Sequence, residues 1–258
     1  MKIAVIGSGI SGLSSAYYLS KKHKVDLFEK QDRFGGHSYT LDVEYEVKEK
    51  VSVDIGFMVF NKITYPNLIS FFEENKIEIE KSDMSFSVNV KNTNIEYCGK
   101  GLNGIFSNKS NIFNYKFVKM FFEIINFYKG CENLDANSLE DNITLGQYLE
   151  KIKKTEYFIN YHIIPMVSAI WSMPPYEASQ MPLTFFLNFF KNHGLFKLKN
   201  RPQWFTVTNR SKTYVNKILS QISGEYYKNY EINKIERNNS GVKVYYGSAN
   251  EFFTYDKV

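Results

Sequence analysis

Apolar and polar positions change period several times along the chain, and each change marks an element. Two short apolar runs, Ile3-Ala-Val-Ile6 and Lys24-Val-Asp-Leu-Phe28, have strand length. Between them Leu13, Ala16, Tyr17 and Leu19 predict a helix over 11–22. A second helix is predicted over 65–76, with Leu68, Ile69, Phe71 and Phe72 on its apolar side, followed by strands at 85–90 and 94–98. Phe113, Phe117, Phe121, Ile124, Ile125 and Tyr128 then recur at helical spacing. From 157 to 176 there is no Asp, Glu, Lys or Arg, which is the length of a membrane span. Asn160, His162, Pro165, Ser168, Ser172, Pro174 and Pro175 lie inside that run, and lipid would leave their polar groups without partners. A buried, kinked helix lining a cavity is predicted instead, with 183–190 continuing the same wall. A strand at 203–207, a helix at 212–223 packing Tyr214, Val215, Ile218, Leu219 and Ile222 inward, and strands at 231–236, 242–246 and 252–258 complete the pattern, Asn239-Ser-Gly241 turning the first pair of those last three.

Composition adds little to this and excludes some classes. The 258 residues are 43% hydrophobic and 23% charged, enough for one sizeable core or two small ones. The net charge of +5 is modest and dispersed, which argues against a nucleic-acid partner. Cys98 and Cys131 form no metal or redox spacing, so no metal site is expected and a reducing, cytoplasmic setting is the simplest assignment. Between Gly99 and Gly130 stand five Lys against one Glu. A solvated basic helix face is the ordinary reading of that segment; a peripheral membrane contact is the sharper one.

The chemistry lies in two glycine clusters. Gly7-Ser-Gly9-Ile10-Ser11-Gly12 follows the first strand, and backbone without Cβ atoms can lie against a pyrophosphate set on a helix N-terminus. Lys2 before an apolar start could mark a signal peptide, but three glycines interrupt the run and no small-residue cleavage site follows. Glu29, with Lys30 beside it, closes the second strand; a carboxylate there accepts ribose hydroxyls and repels a 2′-phosphate, which disfavours NADP. Almost at once comes Arg33-Phe-Gly35-Gly36-His37-Ser38, a second glycine pair for which a nicotinamide-binding unit has no need.

In this second cluster the chain resembles the GG-type flavoproteins of the FAD-dependent amine oxidase superfamily, with His37 where a second arginine is usual. Replacing that cation weakens the electrostatic contact unless the imidazole is protonated. The stretches Val53-Asp-Ile-Gly56-Phe57-Met58, Thr64-Tyr-Pro-Asn67, Pro165 to Ser172, Asn192-His193-Gly-Leu195 and Arg201-Pro-Gln-Trp204 are similar to a bacterial subgroup described as predicted NAD/FAD-binding proteins. Asn209-Arg-Ser211 departs from the Gly-Gly-Ser turn usual there. The resemblance implies an α/β fold, a Rossmann-like FAD-binding domain (1–80 and 203–258) interrupted by a mixed α+β substrate domain (81–202). It implies FAD as cofactor, with Gly35, Gly36, His37, Ser38, Gly56, Phe57 and Met58 beside it and the backbone at Ile232 along the adenine. It also implies that relatives continue well beyond residue 258, so that the chain looks C-terminally truncated: either it is a truncated product or fragment, or a second polypeptide completes the site.

Three functions are then open. The first is an FAD-dependent oxidoreductase removing hydride from a small molecule, either an apolar lipid or acyl chain, which the apolar stretch at 157–190 favours, or a small amine. The second is a nicotinamide-dependent dehydrogenase, against which Gly35-Gly36 argues. The third is a non-catalytic nucleotide-binding or interaction module. Trp171 and His193 are candidates for the substrate wall, and His162 and His193 for acid–base work, each set against ordinary core packing. No catalytic residue is assigned.

Overall fold

The computed structural model describes residues 1–45, 49–135, 139, 142–197, 200–239, 241–248 and 251–258. The chain divides into two compact units, Met1–Ser82 with Trp204–Val258, and Asp83–Gln203.

The first unit is built on β1 (Lys2–Ile6), α1 (Ile10–Ser20) and β2 (Lys24–Phe28), with β1 and β2 parallel. A parallel pair needs a crossover, and α1 supplies it by burying Leu13, Ala16 and Tyr17. Tyr226–Tyr227 extends the sheet beyond β2, again in parallel, and Ala4 N donates to Lys257 O (3.0 Å) on the other edge. Leu13, Val25, Leu27, Phe72, Tyr214 and Ile218 form one core beside this sheet. Ala4 and Phe28 pack with Val244 and Tyr255 of the antiparallel meander Ile232–Asn238, Gly241–Tyr246 and Glu251–Tyr255. The predicted turn of that meander includes Ser240, which lies outside the described residues.

A hairpin that the sequence reading passed over, β3 (Thr40–Tyr45) and β4 (Glu49–Asp54), pairs Leu41 with Val53 and Val43 with Val51. Its polar face turns toward the helix Ser211–Leu219. Asp54 accepts from Ser211 N (3.1 Å) and Ser211 Oγ (3.0 Å), a negative charge at the positive end of that helix. The two residues before the helix stand where the subgroup has glycines. Asn209 and Arg210 both have positive φ (61° and 75°), and Arg210 combines this with ψ 168°, a region that is nearly glycine-only. Arg210→Gly is therefore expected to stabilise the fold by about 1 kcal/mol despite losing the bond from Arg210 Nε to Ser52 O (3.0 Å). A thermal midpoint that fails to rise contradicts this.

The second unit has a two-stranded ribbon, Ser87–Asn89 with Glu96–Cys98, and a helical body around Phe117, Phe127, Phe158, Val167, Phe186 and Phe190. The uncharged run at 157–176 is not one kinked helix but several segments. Glu156–Phe158 leads into a π-helical turn over Ile159–Ile163, then Ile164–Trp171, a left-handed Ser172 (φ 52°), and Pro175–Gln180. The π turn directly precedes Pro165, and widened turns are where a helix accommodates a residue that cannot donate. Phe113 also departs from the pattern. It ends a 3₁₀ turn before the helix Tyr115–Asn133 and is 91% exposed. Among the described residues no helix is long and apolar enough to cross a membrane.

Candidate nucleotide-binding site

The β1–α1 turn is shaped by its glycines. Gly7 has φ 91°, and a Cβ on Gly12 would stand 1.8 Å from the Gly7 carbonyl oxygen. Gly9 ends the turn and accepts from Leu13 N (2.9 Å), so the N–H groups of Ile10, Ser11 and Gly12 in the first turn of α1 have no partner within the helix. Gly36 approaches so closely that its Cβ would lie 2.9 Å from Gly9 Cα. The two glycine clusters are thus one construction.

Ser8 joins them. It is fully buried; Ser8 N (2.9 Å) and Ser8 Oγ (2.5 Å) both donate to Glu29 Oε2, while Gly35 N donates to Ser8 O and Oγ (3.1 Å each). Gln31 N donates to Glu29 Oε1 (3.0 Å). Burial alone would raise the Glu29 pKa, but the hydrogen bonds from Ser8, Gln31 and Lys30 outweigh it and hold the carboxyl below its ordinary value. Glu29 is therefore ionised at neutral pH, with lone pairs left for further donors.

A cavity of about 490 Å³ opens here, within the range of small-molecule sites. Of the residues singled out in the sequence, Gly7, Gly9, Glu29, Lys30, Gly36, His37 and Ile232 line it. Gly35, Ser38, Gly56 and Phe57 stand behind that lining. Phe57 N donates to His37 O (2.7 Å), a Cβ on Gly56 would lie 2.0 Å from the same oxygen, and the Ser38 hydroxyl bonds that of Tyr214. Met58 is 54% exposed. Phe28, Gln31, Arg33, Tyr230 and Glu231 also line the cavity and were not singled out. Arg33 donates to Gly36 O (2.8 Å) and stacks on Tyr39 at 3.7 Å, which fixes its guanidinium beside the second turn.

The donor set fits the ADP half of a dinucleotide. Main chain without Cβ atoms and a free helix N-terminus would meet a diphosphate, an ionised carboxylate would meet a ribose diol, and Ile232 would give an apolar edge for a base.

Residues 5–74 match the sequence-family model of an NAD(P)-binding Rossmann-like domain. Over 51 residues the chain is 51% identical to the 4,4'-diapolycopen-4-al dehydrogenase of Metabacillus indicus, covering 19% of this chain and 10% of that protein. The protoporphyrinogen oxidase of Dictyostelium discoideum is 42% identical over 67 residues, 21% of this chain and 13% of that one. The fold as a whole is similar to that of cyclohexylamine oxidase from Brevibacterium oxydans, with a TM-score of 0.64 at 18% identity over 99% of this chain. The chain spans 56% of the length of that structure.

His162, Trp171 and His193 lie in or beside the second unit's packing. His162 is buried between two tyrosines. Tyr97 donates to Tyr161 O (2.7 Å), so its oxygen accepts from His162 Nδ1 (2.9 Å), which leaves Nε2 to accept from Tyr128 (2.9 Å). Burial pulls the His162 pKa down to about 3, so it is a neutral structural group rather than a proton carrier near neutral pH. Trp171 packs on Phe185, Phe189 and Phe190, and His193 stacks on Phe189 at 4.0 Å.

Proposed function

We propose that the chain binds FAD by its ADP half and serves an oxidoreductase that takes hydride from an apolar substrate. The observation that carries this reading is the junction at Ser8, where an ionised Glu29 and two Cβ-free turns converge on one cavity. Gly7, Gly9 and the start of α1 hold the diphosphate; Glu29 accepts from the ribose hydroxyls and excludes a 2′-phosphate; Ile232 flanks the adenine. Lys30 and Arg33 bring positive charge to the same cavity. When bound, FAD supplies the two-electron acceptor. An apolar substrate agrees with the aromatic packing around Trp171, Phe185 and Phe189. An amine is the second reading, supported by the fold-level likeness to cyclohexylamine oxidase. The test is the cofactor itself: the purified full chain, offered FAD and then denatured, should release it, and a chain that takes up no flavin overturns the reading.

A further inference from the structure

We propose that the segment 109–122 of the second unit is a peripheral docking surface for an anionic lipid bilayer. The helix Tyr115–Asn133 buries one side, where Phe117, Met120, Ile124 and Phe127 join the core. Its other side carries Tyr115, Lys119 and Phe122, which fall on a single stripe at spacings of four and three residues, with Lys116 beside it. Tyr115 is 77% exposed and Phe122 57%. The 3₁₀ turn Lys109–Phe113 leads directly into this stripe and adds Ile112 at 51% and Phe113 at 91% exposure.

Single exposed apolar side chains are ordinary, but four large ones crowded into one turn and the adjoining helix face are not. The polar residues among them favour one partner. Lys109, Lys116 and Lys119 are exposed and, among the described residues, have no carboxylate partner. The segment itself holds no acid, and Glu123, next to it, is engaged elsewhere, accepting from Thr155 N (3.1 Å) and from the Thr155 hydroxyl. Aromatic rings interleaved with unpaired lysines, with the acid withdrawn, complement a surface that is apolar below and negative above. The rings enter the boundary between headgroups and acyl chains while the ammonium groups stay among the phosphates. No helix needs to span the bilayer for this. The proposal uses no residue of the nucleotide cavity and stands whether or not FAD binds.

Co-sedimentation of the full chain with vesicles tests it. Phosphatidylcholine vesicles containing phosphatidylglycerol should carry the protein down, pure phosphatidylcholine should carry much less, and high salt should release it. Lys116→Gln and Lys119→Gln should each weaken binding about fivefold. Phe113→Ser with Phe122→Ser should abolish it while leaving the circular dichroism spectrum unchanged, since both rings are exposed. Absence of binding to the anionic vesicles, or binding that these substitutions leave unaltered, overturns the proposal. So does a dimer in sedimentation velocity that the double phenylalanine variant dissolves, because the surface would then belong to a second copy of the chain.

Discussion

Gly12→Ala is expected to destabilise the nucleotide-binding unit by about 3 kcal/mol or more and to eliminate FAD binding with it. The added methyl would meet the Gly7 carbonyl at 1.8 Å, and that oxygen belongs to backbone fixed on both sides, by β1 and by the bond from Gly7 N to Phe28 O (2.8 Å). No side-chain rotation relieves such a contact. Gly9→Ala should divide the two effects. Gly9 already has an L-compatible φ of −63°, and its Cβ would find no protein atom within 4 Å. Its melting temperature should stay near that of the parent, while the methyl occupies cavity space next to the diphosphate and weakens FAD binding at least about tenfold. Thermal melts and FAD titrations of the two variants check both statements. A Gly9→Ala protein that binds FAD as the parent does would mean that the diphosphate lies elsewhere.

The second large effect is acid destabilisation of the helical unit through His162. In the unfolded chain this imidazole takes a proton as pH falls through 6.5, whereas in the folded chain it resists down to about 3. Between those values the unfolded state binds more protons, so stability is full above the unfolded pKa and declines as pH falls toward the folded one. The whole window is worth on the order of 5 kcal/mol. Urea denaturation in a Trp204→Phe background, where Trp171 reports on this unit, should show the midpoint dropping between about pH 7 and about pH 4. His162→Leu should flatten that dependence by removing the titrating group. The Tyr97 hydroxyl keeps Tyr161 O as its acceptor, and that of Tyr128 keeps the Met166 sulfur at 3.5 Å. Equal pH slopes for the parent and His162→Leu would contradict the assignment.

What the sequence made legible, and what it hid, follows from how far each feature depends on its neighbours. The β1–α1–β2 unit and the carboxylate of Glu29 at its end are local: a strand, a glycine turn, a helix and an acid at the next strand end can be read without knowing the rest. Ser8 was hidden because its identity carries no signal inside a glycine pattern; only the approach of Gly35 and Glu29 gives its hydroxyl a task. The hairpin of β3 and β4 was passed over although Leu41, Val43, Val51 and Val53 alternate, because those apolar side chains face outward while Asp54 and Thr40 face the helix at Ser211. The helix Leu145–Lys151 was missed despite a legible capping box, Thr144 with Gln147. At 157–176 burial is confined to Phe158, His162, Ile163, Ile164, Met166 and Val167 while Tyr176 is 75% exposed, and the π turn before Pro165 is a backbone response that no periodicity announces.

The central claim is that this chain grips the adenosine diphosphate portion of its cofactor. Equilibrium titration of the full chain with FAD, ADP and FMN tests that claim most directly. FAD and ADP should bind and compete with one another, while FMN, which lacks the adenylate, should bind far more weakly. Failure of FAD and ADP to bind, or FMN binding as tight as that of FAD, would contradict it.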